Sequence, residues 1–133
     1  LDAPMQKVNS ADVPMPYSSV LEKKYLPQVD DIISAIEEVL HLLDVLLVMT
    51  VNPGFPGQKF VSGIEHKIAR VREVIDRVGG GAMLEVDGGI NSSTASLVVG
   101  SGAKMLVAGS AVFDHDGGVF AAVRDLRESI DRV

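Results

Sequence analysis

Short apolar runs alternate along this chain with stretches of helical periodicity, and that alternation leaves few folds open. Met5 to Asn9 reads as one short strand. Val29, Ile32, Ile33, Ile36, Val39, Leu40 and Leu43 then recur at the spacing of an amphipathic helix, with Asp30, Asp31, Glu37 and Glu38 on the opposite side. Val45 to Val51 is a continuous apolar run interrupted by Thr50, the pattern of a strand buried on both faces. Lys67 to Val78 repeats the helical spacing through Ile68, Val71, Ile75 and Val78, and Gly79-Gly80-Gly81 stops it. Met83 to Val86 is a strand. Asn91 to Val99 is a short helix, with Ser92 and Ser93 as capping candidates. Lys104 to Ala108 is a strand, and Val119 to Arg132 a closing helix with Val123, Leu126 and Ile130 turned inward. The order is therefore β-α four times over. Such alternation gives an α/β domain with a parallel sheet. Two architectures fit: half of a (β/α)8 barrel, or a small open flavodoxin-like sheet. Periodicity does not choose between them.

Composition narrows the function classes. At 133 residues the chain is one domain with enough length for a core. Its formal net charge of −6 disfavours nucleic acid and anionic membrane as partners, since both want a basic face. With no cysteine there is no disulfide framework and no thiolate metal site. No apolar run approaches the roughly 18 residues of a membrane span. No signal-peptide pattern opens the chain, and a start at Leu1 rather than Met suggests a trimmed segment. A cytoplasmic location is the expectation. Pro4, Pro14, Pro16 and Pro27 crowd the first 28 residues. Pro14 and Pro16 make Asp12 to Tyr25 mostly loop, and Pro27 suits the first turn of the helix that follows.

The chemistry sits where strands end. Leu84-Glu85-Val86-Asp87-Gly88-Gly89-Ile90 and Val107-Ala108-Gly109-Ser110-Ala111-Val112-Phe113 each run from an apolar strand into a turn of small residues. Small residues let backbone N–H groups close on an anion, and a following helix points its positive end at it. Two such units in succession suggest a phosphorylated small molecule, with the Asp87 carboxylate at the mouth of the first turn. Asp87 can equally cap the next helix or close the turn. Alternation puts Met83, Glu85 and Asp87 on one face of their strand, with Glu85 below Asp87 as a supporting partner or a buried polar residue. The histidines promise less. His41 and His66 stand alone, and in Asp114-His115-Asp116 adjacent side chains rarely converge on one ion, so a solvated loop is the better reading.

From about Leu43 to the C-terminus the chain resembles the C-terminal half of ribulose-phosphate 3-epimerases. The resemblance rests on Leu47-Val48-Met49-Thr50-Val51-Asn52-Pro53-Gly54-Phe55 with Gly57-Gln58-Lys59-Phe60, on Glu85-Val86-Asp87-Gly88-Gly89-Ile90-Asn91, and on Val107 to Phe113. It implies a TIM barrel, with these motifs at the sixth, seventh and eighth strands. Phosphate in such barrels is commonly held after strands seven and eight. It also implies that Asp87 is a catalytic acid/base and a ligand of a divalent metal (Zn, Fe, Mn or Co). Met49 would line the substrate site. Phosphate would meet Gly54, Phe55, Pro56 and Gly57, then Gly88 and Gly89, then Gly109 and Ser110. The family usually has glycine where this chain has Pro56, which removes one N–H. Residues 1–40 resemble something else: Asp2-Ala3-Pro4, Ala11 to Tyr17, Leu21-Glu22 and Leu26 to Ile32 look like the C-terminal tail of a pyruvate dehydrogenase beta subunit. The chain then reads as a chimera joined near Glu38 to Leu43, with residues 1–42 foreign and 43–133 a half-barrel within a single domain.

The resemblance implies the interconversion of ribulose 5-phosphate and xylulose 5-phosphate through an enediolate. Proton removal on one face and return on the other needs two acid/base groups. The family's second acid/base and its metal-binding histidines come from early strands that these motifs do not include. The expectation is a phosphate grip with one acid/base and negligible epimerase activity alone. The alternatives are a chimeric folding or assembly module, and a binder of sugar phosphate or inorganic phosphate without catalysis. Half a barrel has open sheet edges, so a homo-oligomer is expected.

Overall fold

The computed structural model describes residues 29–52, 54 and 58–131. Within them α1 (Val29–Val39) runs into a 3-10 turn (Leu40–Leu42), followed by β1 (Val45–Met49), α2 (Ile64–Val78), β2 (Met83–Asp87), α3 (Ala95–Gly100), β3 (Met105–Val107), α4 (Ser110–Phe113) and α5 (Gly118–Ile130). The strand expected at Met5–Asn9, the proline-rich loop and Pro27 lie outside the described residues. The four-residue α4 has no counterpart in the sequence reading, because one turn is too short to carry a period.

The three strands form a parallel sheet in the order β1-β2-β3. Val45 lies opposite Met83, Leu47 opposite Glu85, and Met49 opposite Asp87; Glu85 and Asp87 pair onward with Met105 and Val107. Each new strand joins the same side of the last. One face is packed: Leu46 and Val48 of β1 and Leu84 and Val86 of β2 are buried against Leu40, Ile68, Ile75 and Val98 from the flanking helices. The other face is open, with Leu47 50% and Met83 45% exposed. Sequential strand order with helices on one face is the winding of a barrel sector. A doubly wound sheet reverses its order at a switch point and carries helices on both sides. That choice, open in the sequence, falls to the partial barrel.

The open face corrects the expectation for Val45 to Val51. An uninterrupted apolar run suggests burial on both faces, yet among the described residues the helices pack on the Leu46/Val48 side, Leu47 and Met49 are exposed, and the strand ends at Met49. Two helix faces also rotate slightly. In α2, Val74 is buried beside Ile68, Val71 and Ile75, while Val78 is 40% exposed. In α5, Ala122 is the buried residue; Leu126 and Ile130 pack against the core, and Val123 does not. The helix expected from Lys67 starts three residues earlier, after Gly63, and ends in a Schellman motif: Gly79 N–H to Asp76 O (3.3 Å) and Gly80 N–H to Ile75 O (3.2 Å).

Candidate functional site

Thr50 shapes the end of the sheet. It is the buried polar residue of the core region, fully enclosed just past β1. Its N–H donates to the Asp87 carbonyl at 2.8 Å. Its hydroxyl lies 2.6 Å from the Gly88 carbonyl and 3.0 Å from that of Asp87. A trans peptide is planar, so a carbonyl and the next N–H point opposite ways. Holding the Asp87 and Gly88 carbonyls toward Thr50 therefore turns the Gly88 and Gly89 N–H groups away from it. The Thr50 carbonyl accepts from Val61 N–H at 2.9 Å, which ties the 58–61 segment to the same point.

The turn itself demands glycine. Gly88 has φ +117°, and a β-carbon there would sit 2.5 Å from Val51 Cγ2. Gly89 packs against the Phe60 backbone, whose nitrogen a β-carbon would approach to 3.0 Å. Next, Asn91 and Thr94 close a reciprocal capping box. Asn91 Oδ1 accepts from the Ser93 and Thr94 N–H groups (2.9 and 3.2 Å), and Thr94 Oγ1 accepts from Asn91 N–H (3.0 Å). The box closes the turn of residues 91–94 that leads into α3, with Asn91 in the part expected of Ser92 or Ser93 and Thr94 at the helix N-cap.

These elements enclose a cleft of about 540 Å³ at the C-terminal ends of the strands. Met49, Asp87, Gly88, Gly89, Gly109 and Ser110, all singled out in the sequence, line it together. Gly54 is exposed and stands apart from it, while Phe55, Pro56 and Gly57 lie outside the described residues. Gln58, Lys59, Phe60 and Asn91 also line the cleft, with the apolar Val51, Ile90 and Val107. Gln58, Lys59 and Phe60 belong to the first resemblance motif, but their chemistry is not readable from periodicity. Phe60 meets Gly89 only through the tertiary fold.

Four residues that line this cleft have unused backbone donors. The N–H groups of Gly88, Gly89, Gly109 and Ser110 find no acceptor among the described residues. Those of Gly109 and Ser110 stand at the start of α4, where a helix leaves its first donors unused. The half-buried Asp87 side chain has neither hydrogen bond nor ion pair among the described residues. Unused N–H donors of this kind are what an acceptor-rich anion calls for.

A divalent metal does not fit what is described. Asp87 supplies one hard oxygen donor, and among the described residues no three His, Cys, Asp or Glu side chains gather around a metal-sized space. One carboxylate falls short of the three protein ligands that a catalytic zinc-type site uses. Glu85 lies in the register row below, between Leu47 and Met105, and outside the cleft. His115 is committed locally: its Nδ1 accepts from Gly117 N–H at 3.0 Å, and its Nε2 lies 3.6 Å from Asp125. The solvated-loop reading of Asp114-His115-Asp116 describes that geometry.

Residues 27–113 match the Ribulose-phosphate 3 epimerase family. The Ribulose-phosphate 3-epimerase of Bacillus subtilis (strain 168) is 51% identical over 82 residues, covering 61% of this chain and 38% of that protein. That of Methanocaldococcus jannaschii is 46% identical over 97 residues, 73% of this chain and 41% of the relative. The chloroplastic Ribulose-5-phosphate-3-epimerase of Arabidopsis thaliana is 47% identical over 81 residues, 61% of this chain and 29% of the relative. The chain thus spans well under half the length of these relatives. The match begins at residue 27 and takes in α1. The expected join between Glu38 and Leu43 falls inside the residues that the family match covers.

Proposed function

Because the chain belongs to the ribulose-phosphate 3-epimerase family, we propose that its cleft binds the phosphate group of a pentulose phosphate and presents Asp87 to the carbon that epimerisation inverts. The observation that carries this reading is that four residues with unused N–H donors and one unpaired carboxylate line the same cleft. Epimerisation beside a carbonyl takes a proton from one face of the carbon, moves the electron pair onto the carbonyl oxygen, and returns a proton to the other face. Asp87 can accept or return the proton on one face. It is the one carboxylate among the described residues of the cleft, so a second group of this kind does not face it there. Binding with negligible epimerisation is the reading for this chain alone.

Titration with inorganic phosphate and then ribulose 5-phosphate, followed by backbone amide shifts, tests it. We expect saturable shifts at Gly88, Gly89, Gly109 and Ser110 with dissociation constants of roughly millimolar. Asp87→Asn keeps these shifts and tightens phosphate, since it leaves the four donors untouched and removes a negative charge from the cleft. Still amides at all four positions would sink the binding reading. Xylulose 5-phosphate formed in a coupled assay, and lost in Asp87→Asn, would sink the statement that the chain alone does not epimerise.

A second reading, an assembly module, is favoured by the open sheet face. Leu47, Met49, Met83 and Val107 are exposed on one side of the sheet, and β1 and β3 each have an unpaired edge among the described residues. Apolar surface beside free edges recruits further chains. The resemblance of residues 1–40 to a pyruvate dehydrogenase tail, which makes the chain a fusion, belongs with this reading. We expect a mass in light scattering above that of one chain across micromolar concentrations. A monomer mass throughout that range would remove this reading.

A further inference from the structure

We propose that Lys59 is the cationic member of the anion site and sets its strength for a dianion. This inference rests on the phosphate reading above and adds to it a side chain that neither the turn chemistry nor the resemblance assigns a role. Backbone N–H groups supply direction but little net charge, and Asp87 places a negative group in the same cleft. A phosphate dianion entering there meets that carboxylate's repulsion, so a cation is needed to offset it. Lys59 is the one cation among the described residues that line the cleft. It has no hydrogen bond or ion pair among the described residues. Other described cations are placed elsewhere: Lys104 precedes β3 at the far end of the sheet, and Lys67 and Arg70 line a groove beside β1 and α2.

The backbone around Lys59 is held in place. The next residue, Phe60, abuts Gly89, so its backbone nitrogen lies beside the turn that supplies two of the four donors. The residue after that, Val61, donates its N–H to Thr50 at 2.9 Å. Lys59 is thus anchored on one side by the same threonine that orients the Gly88 and Gly89 peptides. Its side chain is exposed, which leaves a flexible stem free to bring the ammonium over a bound phosphate.

The test is the phosphate titration repeated on Lys59→Met, Lys59→Arg and Lys104→Met. We expect Lys59→Met to weaken inorganic phosphate about 3- to 10-fold at low salt, as loss of a partly solvated charge-assisted contact does. Its salt dependence becomes shallower. Lys59→Arg stays within about 2-fold, and Lys104→Met, with the same change in net charge, binds like the parent. If the parent's amides respond to phosphate but Lys59→Met binds equally well, or Lys104→Met loses as much, the Lys59 inference is overturned and the phosphate reading survives. If the parent's amides do not respond, both fall together.

Discussion

Gly88→Ala is expected to cost roughly 2 to 5 kcal/mol of folding stability, lowering the unfolding midpoint by about 10 °C. Two separate effects add. The backbone at φ +117° lies in a region that a side chain disfavours, a strain of about 1 to 3 kcal/mol. The new methyl would also fall 2.5 and 2.7 Å from the two γ-carbons of Val51, and a β-branched side chain has few rotamers with which to retreat. Relief by backbone movement would break the Thr50 contacts to Asp87 and Gly88, so the turn is pinned on its other side. Thermal and urea unfolding of the single variant, and of Gly88→Ala with Val51→Ala, separate the two effects. Removing the Val51 γ-carbons should recover about 1 to 2 kcal/mol and leave the φ strain. A single variant within 1 kcal/mol of the parent would mean that the turn is not held as described.

The sheet and its helices were legible because their signal is long-range in sequence but simple in period. Ile68, Val71 and Ile75 at helical spacing, and Leu84 and Val86 in alternation, are the residues found buried. Half of the strand pattern misled: Leu47 and Met49 are as apolar as Leu46 and Val48, and hydropathy alone does not tell which strand face a layer covers. The Asp87 turn and the Gly109-Ser110 turn were legible from small residues at strand ends. Their convergence on one cleft required the parallel register that sets Asp87 beside both Met49 and Val107. Lys59 and Phe60 were hidden, because the segment carrying them is irregular and is placed, among the described residues, by the Val61 hydrogen bond to Thr50 and by the approach of Phe60 to Gly89. In the sequence Thr50 is merely the polar interruption of an apolar run. A lone hydroxyl at the end of a buried strand is a signal of its own, since burial demands that it find a partner.

Thr50→Val tests that signal directly. Valine keeps the shape and the β-branch, so the core loses no volume and only the hydroxyl disappears. One hydrogen serves one acceptor, and the shorter contact assigns it to Gly88 O at 2.6 Å; Asp87 O keeps the Thr50 N–H at 2.8 Å in any variant. The Gly88 carbonyl is then left facing an apolar methyl. An acceptor stranded in this way costs about 1 to 3 kcal/mol, read as a shift in the urea midpoint at constant slope. Binding suffers as well. The freed Gly88 carbonyl belongs to the same planar peptide as the Gly89 N–H, so loosening one releases the direction of the other. Phosphate affinity should fall several-fold in Thr50→Val, with the amide shift of Gly89 reduced more than that of Ser110. Thr50→Ser retains the hydroxyl and loses one methyl, at about 1 kcal/mol. Its phosphate affinity should remain near that of the parent despite the lower stability. Equal loss of affinity in both variants would trace the effect to general loosening of the core, because only the hydroxyl distinguishes them at the Gly88 peptide.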